Sequence, residues 1–496
     1  MRLTETWPAA RNPQRKDRVV AGIDASPARE SKLEPGAMGT SDIVFFVLAG
    51  VAPMGAVVAL ITLAIAFGNG AGVPGTYLAA GLVLALFSAG YVRMSRRIVN
   101  VGGFYTYARE GLGRHAGGAT AYVALLSYNA AVVGIFGGLA YFASLVVNQM
   151  GLSVSWQACA VVCFLLVAVL AFFEVTLSAK VLGFLLGAEV LTLMVFNGAV
   201  LAEKGFHGFS LAVFAPSAVF GTGFGVSLMF AFGSYVGFEA TALYGEEARN
   251  PRRSVPRATY LALAIITVFY LITSWAAMAA EGVQRAQGIA SHDVATGKTY
   301  MFEAGTELMG PAYTDVMAIL VVTSLFAAFL AFHANTARYH VALARDGLLP
   351  RLFARTHRRY GSPVAASALQ LAVVAAATIG FTAAGQDPYL GMGTSLYSLG
   401  VLGIVVLQAI AAISIVSYFL RNREHESVVA SIVSPALGAA GLVAGVGLMV
   451  RNYSTLTAST AQWVNSLPWA LPVVAAFGAV AAAVAKARTR PADGRA

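Results

Sequence analysis

The stretch Met229-Phe230-Ala231-Phe232-Gly233-Ser234-Tyr235-Val236-Gly237-Phe238-Glu239 interrupts an apolar run of membrane length with two glycines and ends it on a carboxylate. Each interruption is unfavourable. Glycine weakens a helix interior by about 1 kcal/mol relative to alanine, and a charge at bilayer depth costs about 2.5–3.5 kcal/mol even on insertion scales. A segment that merely anchored a chain would need neither feature, so the run is read as a helix opened at its middle to present backbone groups.

The surrounding chain is of the same kind. Its 496 residues are 58% hydrophobic and 11% charged, with a mean hydropathy of +0.72. That composition excludes a soluble multidomain protein and fits a polytopic helical membrane protein. Cys159 and Cys163 lie in an apolar run and read as small packing residues, supporting neither a disulfide framework nor a metal site. No cofactor or metal is expected. No cleavable signal is visible, because the first apolar run begins near Ile43 and is too long for a signal's apolar core.

A window of about 19 residues finds twelve apolar segments, at about 43–67, 75–95, 119–147, 155–173, 178–202, 218–243, 258–280, 313–340, 362–383, 394–420, 428–449 and 468–486. They are numbered 1 to 12 below. The expected fold class is an all-α membrane protein of twelve transmembrane helices. Residues 1–40, rich in Pro, Arg and Glu, read as a disordered tail. Residues 41–425 then form a ten-helix core, 426–487 two additional transmembrane helices and 488–496 a second tail. The longest interior polar stretch, Glu281 to Pro311, is expected to hold a short helix over Thr299–Met309.

With both termini placed in the cytoplasm, 29 of the 33 Lys and Arg fall on the inner side, leaving only Lys204, Arg285, Lys298 and Arg451 outside. This is the asymmetry of the positive-inside rule. It implies a multi-pass protein integral to the cell membrane with both termini cytoplasmic. The net charge of +10 thus reflects topology in a lipid bilayer, and a nucleic-acid partner has no support.

Segment 1 is interrupted as segment 6 is, by Gly50-Val51-Ala52-Pro53-Met54-Gly55. Pro53 lacks an N–H and clashes with the preceding turn, so the helix should open there. Segment 1 starts from the cytoplasm and segment 6 from outside. That is the pattern of two five-helix repeats in inverted topology, about 41–205 and 217–425, whose broken first helices meet at the midplane.

Unwound backbone at this depth is tolerated only where protein buries it or water reaches it. The free N–H and C=O groups beside two half-helix ends suit a zwitterion. The N–H groups of Met54, Gly55 and Ala56 would receive a carboxylate at a half-helix N-terminus, and carbonyls around Phe232–Tyr235 would accept an ammonium group. The expected substrate contacts are Val51, Ala52, Pro53, Met54 and Gly55 of segment 1 and Phe232, Gly233, Ser234, Tyr235 and Gly237 of segment 6. Tyr128 and Asn129 of segment 3 and Tyr397 of segment 10 are candidate walls. The bland reading is a proline kink plus small-xxx-small packing from Gly233 to Gly237, but it has to hold at both matching positions.

Four residues are candidates for coupling or gating: Glu189, Glu239, Thr323 and Ser324. Glu239 follows the segment 6 break, where it either caps the next half-helix, a role the dipole favours by up to about 1 kcal/mol, or acts as a gate or proton-linked carboxylate. Glu189, midway along segment 5, is more isolated. It is either a site of reversible protonation or a neutral, hydrogen-bonded structural residue. Thr323 and Ser324 put hydroxyls at mid-membrane facing segment 1, although such hydroxyls commonly bond back to their own helix. His333 reads as a satisfied core or interfacial histidine.

Two cytoplasmic loops carry interleaved charges: Glu246-Glu247-Ala248-Arg249-Asn250-Pro251-Arg252-Arg253-Ser254-Val255-Pro256 and Ala344-Arg345-Asp346-Gly347-Leu348-Leu349-Pro350. With Gly237-Phe238-Glu239 and with Gly102-Gly103-Phe104-Tyr105-Thr106-Tyr107 before segment 3, they make the chain resemble the amino acid–polyamine–organocation permease superfamily over roughly 41–425. The resemblance implies a leucine-transporter-like fold of ten core helices plus two, and secondary transport of amino acids or related amines. The chain departs from it at Ala52-Pro53-Met54-Gly55, where relatives carry a Gly-Ser-x-Gly-like break, so carboxylate recognition by a serine is lacking. It departs again at Gly233 or Ser234, where some relatives place a bulky gating aromatic.

The function expected is therefore a secondary active transporter for amino acids or small amines, proton-coupled, working by alternating access around segments 1 and 6. A carrier of another small organic solute on the same fold, or an exchanger, is the alternative. No nucleotide-binding loop is present to supply ATP drive. A membrane enzyme would need a polar catalytic cluster at an interface, and none is found. A membrane sensor would need a soluble output domain, which a forty-residue tail does not supply.

Overall fold

Proline and glycine set most of the helix boundaries. Pro251 and Pro311 open long helices, where a missing N–H costs nothing, and Gly282, at φ 84°, closes the first of them. Asp387 caps the helix that begins at Pro388, its carboxylate accepting the N–H groups of Tyr389 and Leu390 at 2.8 and 2.6 Å. The structure is a computed structural model that describes residues 38–98, 103–173, 179–241, 248–357, 362–422, 427–457 and 461–489. Most of the expected N-terminal tail, residues 490–496, Gly102, Glu246 and Glu247 lie outside them. Among the described residues, regular structure is helical apart from one isolated bridge between Met38 and Ala248.

Among the described residues ten helices are long and apolar enough to cross a membrane: Thr40–Phe67, Gly70–Arg97, Arg114–Gln149, Lys180–Gly208, Pro251–Glu281, Pro311–Arg345, Val364–Ala383, Pro388–Arg421, Val429–Arg451 and Leu467–Val484. They correspond to segments 1–3, 5 and 7–12. Segment 4 is the apolar but shorter helix Trp156–Phe172. Segment 6 is the 12-residue helix Phe224–Tyr235, cut short where the chain turns at Val236. The polar stretch after segment 7 holds two short helices, Ala286–Ala295 as well as Tyr300–Met309. A further short helix, Gly103–Leu112, carries most of the aromatic motif before segment 3.

Segments 3 and 10 form the centre. In their most apolar windows 83% and 78% of residues are buried, against 22% for segments 5 and 12. Small residues let the two central helices touch backbone to backbone. A Cβ on Gly134 would sit 2.4 Å from the Tyr397 nitrogen, and one on Gly400 would sit 2.6 Å from the Ala131 nitrogen. Segment 5 instead turns Phe184, Leu191 and Met194 outward, as a lipid-facing helix does. Cys159 and Cys163 are buried and free.

Candidate functional site

Segment 1 breaks where proline demands it. Ala52 has φ 53° and ψ 69° and is the only described non-glycine residue with positive φ, a conformation that costs an L-residue roughly 1–2 kcal/mol. The helix restarts at Pro53. The donors beyond the break are all engaged. Met54 N–H donates to Glu189 Oε2 at 3.0 Å, and Gly55 N–H donates to Ser324 Oγ at 3.3 Å. The Ser324 hydroxyl donates in turn to the same Glu189 oxygen at 2.8 Å, and Ala56 N–H closes on the Ala52 carbonyl at 2.9 Å. In an unbroken helix the Met54 and Gly55 donors would return to the carbonyls of Gly50 and Val51. Their diversion leaves those two acceptors without a backbone donor among the described residues.

Segments 5 and 8 thus bring Glu189 and Ser324 to the segment 1 break. Glu189 is buried and has no ion-pair partner among the described residues. Thr323 turns the other way, its hydroxyl bonding back to the Leu320 carbonyl at 3.1 Å.

The segment 6 break falls later than the sequence reading placed it. The helix runs unbroken through Gly233 to Tyr235 and opens at Val236, ψ 128°, and Gly237, φ 112°. Gly233 stays helical because glycine tolerates a helix interior; Gly237 is the position whose φ excludes other residues. The Gly233 carbonyl accepts the Val236 N–H at 3.1 Å and the Tyr397 hydroxyl at 2.9 Å. Glu239 is buried, and its Oε2 accepts the Gly237 N–H at 3.0 Å, while the Tyr91 hydroxyl donates to its main-chain carbonyl at 2.7 Å. Ser234 and Tyr235 face segment 2. The Ser234 and Tyr77 hydroxyls lie 2.9 Å apart, and the Tyr235 hydroxyl donates to the Tyr77 carbonyl at 2.9 Å.

A cavity of about 660 Å³, with the open space at its mouth included, lies against both breaks. Of the expected contacts, Val51, Ala52, Gly55 and Tyr397 line it; Pro53, Met54, Phe232, Gly233, Ser234, Tyr235, Gly237 and Tyr128 do not. Phe232 packs toward Gly445 of segment 11, and Tyr128 stacks at a tilt on Tyr339, ring centroids 5.9 Å apart. Walls that the sequence reading missed come from segment 3 (Gly134, Ile135), segment 6 (Phe230, Val236), segment 8 (Leu325, Phe332) and the start of segment 10 (Tyr389, Thr394). The one sequence signal for them was the run of small residues in segment 3. Among the described residues no charged side chain lines the cavity. His333, expected to be satisfied, is buried with neither ring nitrogen hydrogen-bonded among the described residues. Asn129 reaches His340, Nδ2 to Nε2 3.2 Å.

Two of the quoted motifs meet at the end of segment 8. The Tyr105 hydroxyl donates to Asp346, Arg109 Nη1 lies 3.9 Å from the same carboxylate, and the Tyr122 hydroxyl donates to the Leu348 carbonyl at 2.6 Å. Burial first, then the hydrogen bond to Asp346, hold the Tyr105 phenol above its usual range, so it remains a neutral donor.

Long apolar helices among the described residues, with a cavity against the breaks in segments 1 and 6, define a multi-pass membrane protein. The amino acid permease family model matches residues 42–425, and the chain belongs to that family. It is 27% identical over 325 residues to the vacuolar cationic amino acid transporter 4 of Arabidopsis thaliana, covering 61% of this chain and 51% of that one. It is 23% identical over 303 residues to the serine/threonine exchanger SteT of Bacillus subtilis, covering 60% and 64%. It is 28% identical over 195 residues to the methylthioribose transporter of the same species, covering 39% and 38%. The chain spans between about a third and two thirds of the length of these relatives. The family and the relatives' names are those of transporters and not of enzymes.

Proposed function

We propose that the protein is a secondary active permease for an amino acid or a related small amine, coupled to protons and working by alternating access around segments 1 and 6. One observation carries this reading: the cavity touches both backbone breaks, through Val51, Ala52 and Gly55 on one side and Val236 on the other, with a buried carboxylate bonded to the first break. The twelve-helix organisation belongs to the same proposal, with repeats of about 41–205 and 217–425, two further helices and both termini in the cytoplasm of a cell-membrane protein. The placement of both breaks in the first helix of each five, and the distribution of Lys and Arg, support it. The relatives named for cationic amino acids, serine or threonine, and methylthioribose differ in solute, which keeps a carrier of another small organic solute, or an exchanger, as the second reading.

Glu189 and Glu239 are the proposed proton carriers, since a carboxylate at membrane depth is costly when charged. Glu189→Gln tests the first cleanly, because Met54 and Ser324 both bond to a single carboxylate oxygen and an amide oxygen can accept both. In proteoliposomes with an imposed pH gradient, the variant at the coupling residue should lose concentrative uptake yet keep exchange. If Glu189→Gln and Glu239→Gln both accumulate solute as the parent does, neither carries the proton. A sodium requirement in the parent would move the coupling site to Thr323, Ser324 and the segment 1 carbonyls.

A further inference from the structure

Resting on the cavity as the solute site, we infer that its solute is an organic ammonium ion with an apolar body and no carboxylate beside the nitrogen. The argument is an account of donors and acceptors. A carboxylate needs N–H or O–H donors, and half-helix N-termini usually supply them. Here that seat is filled by the chain itself: Pro53 has no N–H, Met54 and Gly55 donate to Glu189 and Ser324, and Ala56 donates to Ala52. The hydroxyls on the wall are spent as well. Tyr389 donates to the Ala59 carbonyl at 3.0 Å, Tyr397 to the Gly233 carbonyl at 2.9 Å, and Thr394 to the Leu390 carbonyl. Among the described residues no Lys, Arg or His lines the cavity.

What borders the cavity instead is unpaired backbone and aromatic rings. Gly50 and Val51 line the cavity, and their carbonyls have lost the helical donors that would have closed on them. Phe230, Phe332, Tyr389 and Tyr397 add rings whose faces attract a cation. Behind Gly55, the Glu189 carboxylate sits among neutral donors only, so when ionised its field favours a positive solute and opposes a second carboxylate. An ammonium group against Gly50 and Val51, with its apolar body toward Leu325 and Phe332, uses every feature the cavity presents. A free α-carboxylate would face none that stabilises it.

The test uses matched pairs that differ only by the carboxylate: 3-methylbutylamine against leucine, and 2-phenylethylamine against phenylalanine. Binding is read as thermal shift of the purified full chain and as competition for uptake in proteoliposomes. Each amine should bind at least about tenfold more tightly than its amino acid. Glu189→Ala, which frees the Met54 N–H and the Ser324 hydroxyl, should raise the affinity of the amino acid relative to its amine by about tenfold. Ser324→Ala, which frees only Gly55, should shift the ratio less, in the same direction, and serves if the first variant does not fold. Amino acids bound as well as or better than their amines would overturn this inference while leaving the proposed function standing. Binding of neither class would overturn both. A ratio unmoved in the variants would overturn the assignment of Glu189 to the anion seat, and the inference with it.

Discussion

Gly134 and Gly138 lie one turn apart on segment 3 and both line the cavity, yet alanine should act oppositely at the two. A Cβ on Gly134 would lie 2.4 Å from the nitrogen and 2.6 Å from the Cα of Tyr397, where non-bonded contacts settle at about 3.5–4.0 Å. Backbone atoms cannot swing aside, so segments 3 and 10 must part by about 1 Å. Overpacking of this kind costs about 1–3 kcal/mol, and the helical preference of alanine over glycine offsets about 1 kcal/mol of it. The net loss is up to about 2 kcal/mol of stability. Function should suffer more, because parting the helices carries the Tyr397 hydroxyl away from the Gly233 carbonyl, now at 2.9 Å, and moves a wall of the cavity. A Cβ on Gly138 meets only Leu325 Cδ1, at 3.9 Å, an ordinary contact. Gly138→Ala should therefore be neutral or gain up to about 1 kcal/mol. Thermal unfolding of both variants in one detergent, beside initial rates of uptake, reads the difference. The reasoning fails if Gly138→Ala loses as much stability as Gly134→Ala, or if Gly134→Ala unfolds with the parent.

Other substitutions probe the breaks and the topology. At Ala52, valine should destabilise by about 1–2 kcal/mol because a β-branched side chain resists positive φ, whereas glycine should stay within about 1 kcal/mol of the parent; equal melting temperatures for the two would refute the strain. Tyr397→Phe removes one donor to the Gly233 carbonyl and should cost about 1 kcal/mol with a raised KM for uptake, and an unchanged KM would separate that bond from the solute site. Tyr105→Phe and Asp346→Ala should combine less than additively in transport rate, since both remove the contact between the Tyr105 hydroxyl and the Asp346 carboxylate; additive effects would deny the coupling. A cysteine at exposed Arg253 should resist impermeant thiol reagents on intact cells while one at exposed Gln284 reacts, and the reverse pattern would overturn the proposed orientation.

The sequence alone determined the helical class, the apolar segments and the break at Pro53, because these rest on local causes: hydropathy summed along a run, and a ring that cannot continue a helix. It assigned the second break to two glycines, of which only the second opens the helix. Gly233 remains helical against Tyr397, and only at Gly237 does the backbone take a φ that requires glycine. The tertiary structure decided the site. Glu189 lies 135 residues from Met54, and Ser324 lies 269 from Gly55, and no periodicity pairs residues at such separations. The sequence offered Met54 and Gly55 as free donors for a substrate carboxylate, whereas packing gave them to groups on segments 5 and 8. It likewise marked Phe232 and Tyr235 as walls where rotation of the helix presents Phe230 and Val236. Local chemistry states which backbone groups a break leaves unpaired; only the packed arrangement of distant helices settles which of them the chain satisfies itself and which remain open to a solute.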